Sequence, residues 1–153
     1  MYRRIDVAID ESEPASAALD AALRLAGEQQ ARLRAVYVVD LEPLLATGAE
    51  GINLDAVETA WCAAGHRILE RASSLAAAAG VDIETKLLET PKDGVDISDA
   101  IVADATSWKA DVVVIGTHGR RGLARQLLGS VAEAVARTAT MPVLLIRGPA
   151  ASA

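Results

Sequence analysis

Five short runs rich in valine, isoleucine and leucine, at residues 5–9, 33–39, 81–87, 112–115 and 143–146, are separated by segments whose apolar residues recur at helical spacing. Ile5, Val7 and Ile9 alternate with Asp6, Ala8 and Asp10, the period of a strand. Ala15, Ala18, Leu19, Ala22, Leu25 and Ala26 then fall on one helical face, with Ser12 as a cap, Pro14 in the first turn and Gly27 as a stop. A long helix is predicted over 54–79, stopped by Gly80, and further helices over 97–108 and 130–139. Residues 40–53, punctuated by Pro43, Gly48, Gly51 and Asn53, read as a loop. Strand and helix thus alternate four times before a fifth strand closes the chain. Such alternation predicts an α/β fold, an open parallel sheet with helices on both faces.

Composition agrees with that architecture. Of 153 residues, 52% are apolar, yet only two Trp and two Tyr are aromatic and Phe is absent. Val, Leu, Ile and Ala must therefore fill the core, which suits helices packed closely on a parallel sheet. The third strand, Val81, Ile83, Thr85 and Leu87 with polar neighbours, is expected to have one wet face or to lie at an edge. The length fits one domain, residues 1–148, followed by a short tail, residues 149–153. No repeat, low-complexity tract or linker marks a second domain.

Charge and cysteine content narrow the function classes. A net charge of −6 disfavours nonspecific binding to nucleic acid or acidic membranes. Cys62 is the single cysteine, which excludes an intrachain disulfide and suits a reducing compartment. Asp6 and Asp10 interrupt the start of the chain, so no signal-peptide apolar run develops. No stretch reaches the ~20 apolar residues that span a bilayer. The expectation is a cytoplasmic protein without nucleic-acid or membrane partners.

One segment reverses the acidic average. From Val112 to Ala132 there are three arginines, Arg120, Arg121 and Arg125, and no Asp or Glu. It contains the end of the fourth strand, Gly116-Thr117-His118-Gly119, then Gly122, then Gly129-Ser130 opening the last helix. In open α/β sheets ligands bind beyond the carboxyl ends of strands. Glycine lets backbone N–H groups approach phosphate oxygens, and a helix N-terminus adds unsatisfied N–H groups and the positive end of a dipole. The first strand runs into Asp10-Glu11-Ser12, so neighbouring first and fourth strands would line one crevice.

Gly116-x2-Gly119-x9-Gly129-Ser130 resembles the nucleotide signature of the universal stress protein family. The opening residues from Val7 to Pro14, the second strand end Tyr37-Val38-Val39, and the run from Met141 to Ile146 resemble the same family. The resemblance covers essentially the whole chain, most weakly around residues 40–60 and 89–96. It implies a Rossmann-like sheet ordered 3-2-1-4-5, binding of ATP with or without magnesium, and a regulatory or signalling role in stress response. By position it implies that Ala8, Asp10, Val38, Ile115, Gly116, Gly119, Arg120, Gly129, Ser130 and Val131 surround the nucleotide. The main chain of Val38 would bond adenine, Asp10 the nucleoside, and the glycine, Ser130 and Val131 positions ribose and phosphates. It also implies a homodimer through the fifth strand, with a protein partner that the sequence does not name.

Two positions depart from the family pattern. Asp6 occupies a usually apolar place in the central strand, where a buried carboxylate needs a partner or a route to solvent. Glu11 adds negative charge beside the expected nucleotide. They keep a second reading open, an interaction module with a vestigial pocket. A third is a slow ATPase or autophosphorylating protein with Ser130 or Thr117 as acceptor. No catalytic or metal-binding residue is assigned: there is no GxxxxGK[ST], GxGxxG or GxSxG, and His118 reads as a loop-shaping residue. His66 lacks metal-ligand spacing, Cys62 reads as a packing residue, and Asp93, Asp96 and Asp99 read as turn and capping residues.

Overall fold

The computed structural model describes residues 1–46, 48, 50–90, 95–118 and 128–148. Strands β1 (Arg4–Ala8), β2 (Arg32–Val39), β3 (Ile83–Glu89), β4 (Val112–Gly116) and β5 (Val143–Ile146) form one sheet. All neighbours are parallel, in the order β3-β2-β1-β4-β5. The helices are α1 (Glu13–Gln29), α2 (Glu42–Ala46), α3 (Leu54–Ala79), α4 (Ile97–Trp108) and α5 (Ser130–Thr138).

Alternation along each strand divides the core into two layers. Ile5, Val7, Leu33, Ala35, Val112 and Val114 pack with the buried faces of α1 and α3. Ala8, Val36, Val113 and Ile115 pack on the other side with Ile101 and Ala105 of α4 and Ala132 and Val135 of α5. β3 is an edge strand, as its polar alternation predicts. Ile83 and Leu87 meet the α1/α3 layer, while Glu84 and Lys86 lie on the opposite face. It starts at Ile83, not Val81, whose side chain is buried in the preceding turn.

Two further expectations change. α1 passes Gly27 and ends at Gln29, capped by Gln30, which takes the left-handed conformation at φ 51°. The N–H groups of Gln30 and Ala31 close onto the carbonyls of Gly27 and Ala26, and the buried Ala26 and Ala31 tie that end to the core. The predicted loop over 40–53 contains α2, because Asp40 accepts the Glu42 N–H at 3.1 Å and Pro43 is compatible with a first turn. Gly80 ends α3, and Asp96 caps α4 by accepting the Ile97 N–H at 2.7 Å.

Candidate functional site

β1 leaves the sheet before its neighbours do. Its last register partners are Ala8 with Val36 and Ala8 with Ile115, and the Ile9 N–H then reaches the Val36 carbonyl at 2.9 Å. In a parallel strand successive residues turn their peptide groups to alternate sides. Arg32 and Val36 bond toward β1, whereas Leu33 and Val39 bond toward β3. Val38 therefore directs its N–H and carbonyl to the β1 side, beyond the point where β1 departs. A notch lined by main-chain groups results.

The chain leaving β1 is fixed by side-chain turns. Asp10 accepts the Ser12 N–H at 2.7 Å, and Ser12 accepts the Ala15 N–H at 3.3 Å as the cap of α1. Glu11 is held to one side: the buried Tyr37 donates its hydroxyl to Glu11 Oε1 at 2.8 Å. That bond draws the Glu11 carboxylate toward β2.

Across the notch, β4 ends at Gly116. A Cβ there would lie 2.7 Å from the backbone of Pro14, so glycine is what lets the start of α1 press against the end of β4. Thr117 donates its N–H to Ile146 and accepts the Gly129 N–H on its carbonyl at 2.6 Å. This latch brings the start of α5 against the end of β4. A Cβ on Gly129 would meet the Thr117 carbonyl oxygen at 2.9 Å. Gly129 is thus demanded by the latch itself, a requirement that its place in a glycine signature does not reveal.

The first turn of α5 differs from those of α1, α3 and α4. Ser12, Asn53 and Asp96 cap those three with side-chain oxygens, whereas Gly129 gives α5 no side-chain cap bond. The first helical bond runs from Glu133 N–H to the Gly129 carbonyl, so the N–H groups of Ser130, Val131 and Ala132 precede the helical ladder. They form a cradle suited to an anion.

The fold gathers Ala8, Asp10, Val38, Ile115, Gly116, Gly129, Ser130 and Val131 along the carboxyl rim of the sheet. Gly119 and Arg120, with Arg121, Gly122 and Arg125, lie outside the described residues. Two contributors were not singled out from sequence as parts of the rim: Pro14, whose packing needs Gly116, and the Thr117 carbonyl. Neither residue type signals such a role, since each acts through backbone proximity. The Thr117 hydroxyl also lies 2.9 Å from His118 Nδ1, fixing the imidazole at the strand end.

Cys62 lies elsewhere, in an open groove between α3 and the end of β3 with Asp55, Glu58, His66 and Glu89. Burial and a thiol hydrogen bond to Glu89 at 3.4 Å push its pKa up, which keeps it a thiol. An acidic groove is poorly suited to a phosphate.

A family model described as the universal stress protein family matches residues 1–147. The chain belongs to the universal stress protein family. Universal stress protein MJ0531 of Methanocaldococcus jannaschii is 37% identical over 149 residues, covering 97% of this chain and 84% of the relative. A universal stress protein structure from Burkholderia pseudomallei is 35% identical with a TM-score of 0.78, covering 95% of this chain and 96% of that one. Two further members of the family were solved with nucleotides. One, in complex with cAMP, is 29% identical with a TM-score of 0.66, covering 97% of this chain and 98% of that one. The other, from Archaeoglobus fulgidus in complex with dAMP, is 26% identical with a TM-score of 0.66, covering 95% and 98%.

Proposed function

We propose that this member of the family binds ATP, with or without magnesium, at the carboxyl rim of its sheet and acts as a regulatory module in stress response. The observation that carries this reading is the uncapped first turn of α5, latched against the end of β4. Its N–H groups and Ser130 hydroxyl suit phosphate oxygens. Adenine suits the other end of the notch, because the Val38 N–H can donate to a ring nitrogen while its carbonyl accepts from the exocyclic amine. Asp10 lies between the two, within the stretch where a ribose would rest, and Gly119 and Arg120 complete the set by position in the signature. The family relatives in complex with cAMP and dAMP support an adenine nucleotide as the ligand class.

Occupancy of the rim would be read by other proteins and by a second copy of the chain. β5 is the far edge of the sheet, and its Leu144 and Leu145 are exposed. A homodimer through β5 would cover both and remove an unpaired strand edge. Among the described residues no helix is long and apolar enough to cross a membrane.

Isothermal titration of the purified chain with ATP and GTP tests the reading. Saturable heat with ATP, and weaker binding of GTP, is expected, since guanine offers an acceptor where Val38 also offers one. Absence of heat with either nucleotide, together with no nucleotide released from the denatured protein, would leave the interaction-module reading in its place.

A further inference from the structure

Asp6 lies at the centre of the sheet on the face covered by α4 and α5, and is 0% exposed. Neither of its carboxylate oxygens has a hydrogen-bond partner. The absence is notable because cations are close. Arg34, its register partner on β2, donates to Glu84 of β3 at 3.1 Å and to Asp104 of α4 at 2.8 Å. Lys86 of β3 donates to Asp104 at 2.6 Å. The Arg34 guanidinium also lies 4.9 Å from the Trp108 ring centroid. Both cations are thus directed to Glu84 and Asp104, and neither bonds Asp6.

The remaining neighbours offer no relief. Arg4, further back on β1, turns its guanidinium to the Trp108 carbonyl at 2.7 Å and is attracted to Asp111. β4 and α5 present Val113, Ile115, Ala132 and Val135 on this face. Fully ionised, Asp6, Glu84 and Asp104 would set three negative charges against Arg34 and Lys86; Glu84 and Lys86 reach the surface, but the excess charge would sit on the sealed Asp6 beside the buried Asp104. Such an excess is costly in a medium that water does not reach, and the commonest remedy is to bind a proton.

We propose that Asp6 is a proton site, that its neutral form leaves the Arg34–Asp104 pair free to hold α4 on β2, and that release of the proton in mildly alkaline solution loosens the seat of α4. Arg34 and Asp104 join β2 to α4 beside Asp6, so a new charge on Asp6 repels Asp104 and competes with it for Arg34. Burial foremost, and the nearby Asp104, push the Asp6 carboxyl up to about 8, which places release within reach of ordinary buffers.

Trp108 ends α4 against the cluster, and Trp61 is the chain's other tryptophan, so fluorescence of Trp61→Phe reports α4 locally. The full chain is followed from about pH 6 to about pH 9.5, spanning the range where a carboxyl raised this far would titrate. Carboxyl-carbon NMR of protein labelled at aspartate gives the protonation state of Asp6 directly, assigned by its loss in Asp6→Asn. The Asp6 signal should stay at the protonated position through neutrality and move above it. Trp108 emission should shift over the same range in Trp61→Phe and stay constant once Asp6→Asn is added. A carboxyl already ionised near pH 6, whether screened by water or by a bound cation, would overturn the proposal. So would a Trp108 shift of equal size with Asp6→Asn present.

Discussion

The rim and the centre of the sheet both carry polar groups that the fold leaves without partners, and they differ in access to water. At the rim, the N–H groups that open α5 have no side-chain cap, while those of α1, α3 and α4 are closed by Ser12, Asn53 and Asp96. Ser130 is exposed and Val131 partly so, so water can hydrate this end of the helix and leaving it open costs little, which suits the anion proposed to bind there. Two residues before the end of β1, Asp6 is sealed between the sheet and α4, where water cannot do the same. The one kind of incompleteness invites a ligand from solution. The other is met by a proton taken up during folding.

The largest expected effect tests the sealed end. Asp6→Val removes the buried carboxyl and keeps a strand-compatible shape. In the folded chain the pKa of Asp6 is raised to about 8, while in the unfolded chain it returns to about 3.9. The unfolded state therefore gives up its proton first as pH rises. The group's favourable contribution is fully present below about pH 4, falls by about 1.4 kcal/mol per pH unit, and is lost above about pH 8. Denaturant titrations should find Asp6→Val more stable by several kcal/mol near pH 8, with the advantage narrowing steadily toward pH 4. Parallel stability curves for the two proteins would show that Asp6 is ionised and accommodated in the fold.

Next in size is the latch that holds the open end in place. Gly129 has an ordinary helical-cap φ of −62°, so Gly129→Ala carries no conformational penalty of its own and reports sterics alone. The added Cβ must displace the Thr117 carbonyl, which should cost about 1–3 kcal/mol of stability and greatly weaken ATP binding. Unchanged stability would mean that the approach of α5 to β4 is looser than 2.9 Å implies.

The smallest effects give the cleanest contrast. Ser12→Ala removes a cap and should lower stability by about 1 kcal/mol while leaving nucleotide affinity nearly unchanged. Ser130→Ala removes no cap, so it should leave stability alone and weaken ATP by about 0.5–1.5 kcal/mol. Chemical denaturation and calorimetry on both variants would separate a closed helix start from an open one. The comparison breaks if the two serines behave alike.

Much of this was legible before any coordinates. The five strands, the long helix over 54–79 and the Ser12 cap follow from periodicity and side-chain chemistry, because each is fixed by neighbours close in sequence. The strand order came from family resemblance; of the positions that resemblance named, Ala8, Asp10, Val38, Ile115, Gly116, Gly129, Ser130 and Val131 lie along one rim, and Gly119 and Arg120 fall outside the described residues. What stayed hidden depends on approach between distant segments. Gly27 looked like a stop, yet the Ala26–Ala31 closure carries α1 onward. Glu11 read as an electrostatic liability, and only the position of Tyr37 on β2 shows its carboxylate drawn aside. Asp6 was visible as an anomaly, but its lack of a partner depends on Arg34 being directed to Glu84 and Asp104.

The central claim, that the open start of α5 and the Val38 notch together receive ATP, is tested most directly by amide NMR during an ATP titration. The account predicts saturable shifts for Ser130, Val131 and Val38, with the capped start of α1 at Ala15 and the buried strand interior at Ile5 left in place. Shifts confined to other regions, or a spectrum unchanged at saturating ATP, would contradict it.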